Sequence, residues 1–199
     1  DAYRNTVTNL GGNPDDPFVI RPEVEKMYVE RLQELRGIVA ERHAEEKAWA
    51  EANPEKAEKQ AFWFSGKAPE LPWEELQQKS GGPTRAASSN VLAMLSEHCE
   101  NMIVSSADLS NSDKTDGFLK HSSNITRDNF GGGFLQAGVS ELTMACVCIG
   151  ISLHGGFFTA MGTFFVFSDY MKPAIRMAAL MQLPVKFVWR HDALRVGEE

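Results

Sequence analysis

The stretch from Gly138 to Tyr170, GVSELTMACVCIGISLHGGFFTAMGTFFVFSDY, constrains this chain more than any other. It opens on a glutamate, Glu141, at the head of an almost wholly apolar segment. Leu142 to Leu153 has the length of a helix, and His154-Gly155-Gly156 breaks it. The run from Phe157 to Phe167 is dense in phenylalanine, reads as a strand and closes at Tyr170. An ionised acid at the head of a buried helix is costly unless a hydrogen-bond partner holds it. Phe164, Phe167 and Tyr170 follow at a spacing of three. A carboxyl group beside flat rings suits a planar, nitrogen-bearing heterocycle. The acid bonds a ring nitrogen and the aromatics sandwich the ring faces. The same residues also have a purely structural account. The helix dipole favours a negative charge in the first turn, and the three rings can simply be core.

Composition narrows the class. The 199 residues suffice for one good domain plus an appendage. A net charge of -7 repels phosphate backbones on average and argues against general nucleic-acid binding. The cysteines are three, Cys99, Cys146 and Cys148. Their odd count, with two in the apolar helix, reads as small buried hydrophobes in a reducing compartment. They read as neither a disulfide set nor a metal site. The polar start DAYRNTVTNLGGNPDDP has no apolar signal core, and no apolar run approaches the ~20 residues of a membrane span. The expected location is the cytoplasm, with no membrane partner.

In chain order, residues 1–20 read as irregular around the turn cluster Gly11 to Pro17. Pro22, Glu23 and Glu25 open a helix whose stripe is Val24, Met27, Tyr28, Leu32, Leu35 and Ile38. Pro54 breaks it, and a second helix runs from about Glu55 to Phe64. Residues 1–79 form a helical linker or arm, and the compact domain spans 80–199. In that domain Thr84 caps a helix from Arg85 to Cys99. Met102 to Ser106 is a short buried strand, with Asp108 at its carboxyl end. Ser110 to Arg127 is a long polar loop, and Gly131-Gly132-Gly133 is flexible. Tyr170 to Gln182 is a helix, and Val185 to Trp189 a strand with His191-Asp192 at its end. Helices alternating with continuously apolar strands imply an α/β fold, a parallel sheet flanked by helices on both faces. Ligands in such folds gather outside the carboxyl ends of the strands, where Asp108, Tyr170 and His191 fall.

These segments, taken in order, resemble transketolase. Arg85, SSADLSNS (Ser105 to Ser112), GVSE (Gly138 to Glu141), GISLHGGFF, GTFFVFSDYMKPAIRMAALMQLPV and HDALRVGE are similar to the pyrimidine-binding domain of that thiamine diphosphate enzyme. The resemblance covers roughly Ser80 to Glu199, and the helical arm before it resembles the linker from the diphosphate-binding domain. It implies the thiamine diphosphate-binding fold and transfer of a two-carbon ketol group from a ketose phosphate to an aldose phosphate. It implies thiamine diphosphate as cofactor, with Mg or Ca bound by a domain outside this chain and no metal ligand within it. The family's Gly-Asp-Gly motif and its C-terminal domain do not occur in this sequence. The resemblance therefore implies an excised domain or split subunit, inactive alone, completing the site of a neighbour in a homodimer.

By the same resemblance, Glu141 hydrogen-bonds the pyrimidine nitrogen opposite the exocyclic amino group and favours its imino tautomer. Phe164, Phe167 and Tyr170 wall the ring, and Asp108 lies close to the cofactor. Arg85 and Ser112 hold the donor's phosphate, and His191 contacts its hydroxyls. Two departures stand out. Ser140-Glu141-Leu142 replaces the family's Arg-Glu-His, and Gly197-Glu198-Glu199 its Gly-Glu-Asp, one methylene longer at Glu199, which puts a substrate contact there in doubt. Other readings are a sister enzyme of the dihydroxyacetone synthase or deoxyxylulose phosphate synthase type, and a non-catalytic assembly module of the same fold.

Overall fold

The structure, a computed structural model, describes residues 1–191; Asp192 and the Gly197-Glu198-Glu199 run lie outside the described residues. The chain divides into two compact units, Asp1–Ala57 and Glu58–Glu199.

The first unit is two helices, α1 (Ala2–Asn9) and α2 (Pro22–Ala52). Pro22 takes the first turn of α2, where its missing amide hydrogen is no loss, and Glu23 and Glu25 complement the positive end. Asn53 stops the helix by leaving helical backbone (φ -134°, ψ 60°), and its Nδ2 donates to the Trp49 carbonyl at 3.0 Å. Neither helix buries a residue. The expectation of an irregular start is corrected here, since α1 is helical. It carries no apolar core stripe that could announce it. The Gly11 and Gly12 amides close its end by donating to the Thr8 and Val7 carbonyls, each at 2.9 Å.

The second unit holds most of α3 (Pro54–Phe64), then α4 (Thr84–His98), β1 (Met102–Ser106), α5 (Ser110–Asp113) and β2 (Phe134–Gln136). It continues with α6 (Glu141–His154), β3 (Phe158–Phe164), α7 (Ser168–Leu180) and β4 (Lys186–Arg190). The four strands pair in the order β2-β1-β3-β4, all parallel. Ser106 faces Gln136 on one side and Gly162 on the other, and Phe164 faces Arg190. Because side chains alternate along a strand, the sheet has two separate cores. On one face Met102, Val104, Phe134 and Ala160 pack with Leu92 of α4 and with Phe118. On the other, Met161 packs with Met144, Ala145 and Cys148 of α6 and Met171, Ala174 and Ala178 of α7. Each fully buried Met or Phe contributes ~1.5–3 kcal/mol relative to exposure, so these faces hold the layers together. The fold is the α/β sheet covered on both faces that the alternation of elements implies.

Several local readings differ. Thr84 is the first helical residue, not the cap; extended Pro83 takes that place without a side-chain bond. Ser110 to Arg127 is not one loop, because α5 and a 3-10 turn over Thr115–Lys120 fold it, with Phe118 2% exposed. Two of the three glycines are close-packed: a Cβ on Gly132 would lie 2.5 Å from the Ser123 carbonyl, and one on Gly133 2.9 Å from Ser122 Oγ and 3.0 Å from the Met102 carbonyl. That close approach admits β2, which the sequence reading missed. The phenylalanine strand ends at Phe164, and Phe165–Phe167 is a 3-10 turn. Of the cysteines, Cys99 and Cys148 are buried, but Cys146 is exposed, on the side of α6 away from the sheet.

Burial pushes the Cys148 thiol from 9.0 up to about 12. The folded state therefore holds this proton more tightly than the unfolded chain. The associated stability is complete below about pH 9 and is lost as pH rises toward about 12, by up to ~4 kcal/mol. Urea midpoints of the wild type should fall more steeply between about pH 9 and about pH 11 than those of Cys148→Ala. Equal slopes would show that the thiol does not titrate late.

Candidate active site at the carboxyl edge of the sheet

Parallel pairing sends every strand's carboxyl end to one edge, and seven of the eight expected site residues follow from these ends or their loops. The eighth, Arg85, arrives from the first turn of α4. Asp108 comes after β1 in left-handed backbone (φ 64°), exposed, and Ser112 sits on α5. Glu141 opens α6 after β2, Phe164 to Tyr170 follow β3, and His191 follows β4, also left-handed (φ 54°). Non-glycine residues rarely hold such backbone, and when they do they cluster at functional sites.

The aromatic spacing of three acquires a geometric cause. Once the chain leaves β3 it coils, first through the 3-10 turn and then into α7, so every third residue returns to one side. Phe164 and Phe167 stack with centroids 5.9 Å apart and planes within 9°. Phe167 and Tyr170 stack at 6.1 Å and 15°. The His191 ring adds a fourth rung 4.1 Å from Phe164. The rings thus stack on one another as a ladder, rather than standing apart as two walls of a slot.

His191 also joins Arg85, whose Nη1 lies 3.1 Å from Nε2. A guanidinium only donates, so Nε2 accepts and the imidazole proton sits on Nδ1. That Nδ1 is buried and has no partner among the described residues. Glu141 is 7% exposed, yet its carboxyl makes no hydrogen bond or ion pair among the described residues. Ser140, the residue before it, does not cap the helix; its Oγ donates to the Ala137 carbonyl at 2.7 Å. Ser112 Oγ reaches only Asn111 Oδ1, at 3.4 Å. The structure therefore brings Arg85, His191, Phe164, Phe167 and Tyr170 into one contiguous cluster. Asp108, Ser112 and Glu141 share the edge without a hydrogen bond or ion pair to that cluster among the described residues.

Sequence reading missed the residue beneath them. Asp113 is fully buried, and its carboxyl accepts from Ser106 Oγ (2.9 Å), the Thr115 amide (2.8 Å) and Thr115 Oγ1 (2.7 Å). Its carbonyl accepts from Arg190 Nε at 3.0 Å. The signal was present as an aspartate two residues before a threonine, a pattern that folds back on its own backbone. It was hidden among the many polar residues of 105–116.

Comparison with known proteins gives one answer. The family described as "Transketolase, pyrimidine binding domain" matches residues 81–199. The transketolase of Halalkalibacterium halodurans is 33% identical over 100% of this chain and 29% of its own length. That of Bacillus subtilis is 39% identical over 76% of this chain and 23% of its own. Among solved structures, transketolase from Leishmania mexicana superposes with a TM-score of 0.82 at 27% identity, covering 98% of this chain and 29% of that one. A Pichia stipitis transketolase in complex with sedoheptulose-7-phosphate gives 0.83 at 26%, covering 98% and 30%. The chain thus spans less than a third of the length of these relatives.

Gly162 lies against the Asp113 cage, where an added Cβ would overlap Thr115 Cγ2 and stand 3.0 Å from Asp113 Oδ2. Gly162→Ala should destabilise by ~1–3 kcal/mol, the usual cost of overpacking a filled interior. The urea midpoint checks this, and a midpoint within error of wild type would show that the cage yields.

Proposed function

We propose, on the premise that this chain belongs to the transketolase family through its pyrimidine-binding domain, that it carries the cofactor-activating half of a ketol-transferring enzyme. The reaction is transfer of a two-carbon unit from a ketose phosphate to an aldose phosphate. Residues 1–79 serve as the linker and 80–199 as the catalytic fold. The observation that carries this reading is the Glu141 carboxyl: 7% exposed, unpartnered among the described residues, and at the ligand-binding edge of a parallel sheet. A carboxyl kept there without a protein partner among the described residues fits an aminopyrimidine, whose ring nitrogen it would hydrogen-bond. The Phe164–Phe167–Tyr170 ladder fits the flat apolar part of the same ring.

Thiamine diphosphate, when bound, supplies the electron sink for carbon–carbon cleavage. This chain's residues bind and orient. Glu141 holds the hydrogen bond to the pyrimidine and so sets its tautomer. Phe164, Phe167 and Tyr170 exclude water from the ring, and Asp108 stands beside it. His191, held against Arg85 and the Phe164 ring, would contact a substrate hydroxyl. Arg85 and Ser112 meet a sugar phosphate, for which a guanidinium fork is suited. The metal, Mg or Ca, and the diphosphate belong to another part of the protein. In the assembled enzyme this domain completes the site of a second copy across a homodimer. The reading places the enzyme in the cytoplasm, in sugar-phosphate interconversion of the pentose phosphate type, without nucleic-acid or membrane partners. Among the described residues no helix is long and apolar enough to cross a membrane.

The Ser140-Glu141-Leu142 departure favours a second reading, an assembly module of the same fold, which has no need to bind the cofactor. Sister enzymes with other acceptors separate by assays on different ketose and aldehyde pairs. In the full-length protein, Glu141→Ala should lower ketol transfer ~10²–10⁴-fold while the melting temperature holds, as loss of one acid–base group does. Transfer near the wild-type rate would remove the assignment. Absence of thiamine diphosphate binding by calorimetry in the wild type would favour the module instead.

A further inference from the structure

The opposite, amino edge of the sheet holds a lysine out of pattern. Lys186 is the first residue of β4 and pairs with Ala160. The pleat therefore puts it on the face shared by Ala160, Phe158 and Met102, which packs against α4. Those neighbours are apolar, and Lys186 stands where the pattern calls for another hydrophobe. Its Nζ lies 5.1 Å from the Phe158 ring centroid and donates to the Pro184 carbonyl at 2.9 Å. Among the described residues no carboxylate comes within ion-pair distance of it. Beside it opens a cavity of about 170 Å³ lined by Ala68, Pro69, Leu71, Leu95, Phe158 and the Cys99 thiol.

A lysine stem can cover apolar surface with its ammonium in water, and that alone would explain an exposed lysine. Here the side chain is exposed at the mouth while the amine borders an apolar hollow. Burial pulls its titration below the usual lysine range, against an opposing effect of Cys99. Burial likewise pushes Cys99 up, so that this neighbour stays a neutral thiol. More of the amine is therefore unprotonated near neutrality than on an ordinary surface lysine.

We propose that Lys186 is a site of acylation by short-chain acyl thioesters, with the apolar cavity receiving the acyl chain. At ~30 Å³ per water in the liquid, the hollow holds roughly five to six waters' worth of volume, room for a chain of a few carbons. The amine lone pair attacks the thioester carbonyl. The C–N bond forms, the C–S bond breaks, and the thiolate leaves and takes up the proton released by nitrogen. No oxidant or metal is required. This site is independent of the cofactor edge, and its test does not read ketol transfer.

The full-length protein is incubated with butyryl-coenzyme A or acetyl-coenzyme A, and occupancy at each lysine is followed by peptide mass spectrometry. Lys67, exposed on a loop of the same unit, is the internal reference. Butyrylation of Lys186 should run several-fold faster than that of Lys67, because the hollow seats the butyryl chain beside the attacking amine. The excess should be greater for butyryl than for acetyl. Leu71→Trp fills the hollow and should bring Lys186 down to the Lys67 rate; Ala68→Phe does the same from an exposed position if the first variant does not fold. Equal rates at Lys186 and Lys67 in the wild type, or an excess that survives in a folded filling variant, overturn the proposal.

Discussion

The end of β1, the loop bearing Ser112 and the strand bearing His191 are tied together at buried Asp113. Removing its carboxyl from water costs several kcal/mol, and three short hydrogen bonds offset that cost. The donors come from different places: Ser106 ends β1, and Thr115 begins the turn that carries Phe118 into the core. The Asp113 backbone then receives Arg190, the last residue of β4. One residue thereby ties the central strand, the loop bearing Ser112 and the strand bearing His191. Gly162 of β3 leaves the space in which this happens.

Above that anchor the site is assembled by topology rather than by local sequence. Arg85 and His191 are 106 positions apart, yet their side chains meet because β4 delivers one and the start of α4 the other. The two sheet faces separate tasks in the same way. The α6–α7 face supplies the methionine-rich core under Glu141, and the α4 face supplies the polar cage and, at its far edge, the apolar hollow beside Lys186.

Periodicity made the large elements legible. Pro22, Pro54 and the apolar runs mark α2, α3, α6, β1 and β4 because hydrophobic pattern and helix-end chemistry act locally. The aromatic ladder was legible as a spacing, although its rings stack on each other in a way that spacing cannot convey. Asp113 was not legible, because a carboxyl with three donors looks in sequence like any aspartate in a polar loop. β2 escaped because Gly131-Gly132-Gly133 signals freedom, while the fold uses Gly132 for closeness to Ser123 and Asn124 and Gly133 for closeness to Met102 and Ser122. The exposure of Cys146 follows from α6 being apolar on both sides, so composition could not say which side met the sheet.

The left-handed backbone at Asp108 and His191 has an evolutionary corollary. Such a conformation costs an L-residue ~1–2 kcal/mol that glycine does not incur. Selection for robustness alone would drift exposed Asp108 toward glycine, and His191 as well unless its packing on Phe164 and its bond to Arg85 offset the cost. A lineage that keeps acid and imidazole there is holding thermal tolerance below what its scaffold permits. Survey of these two positions across divergent descendants would therefore separate lineages still under demand for chemistry from those retaining only the shape.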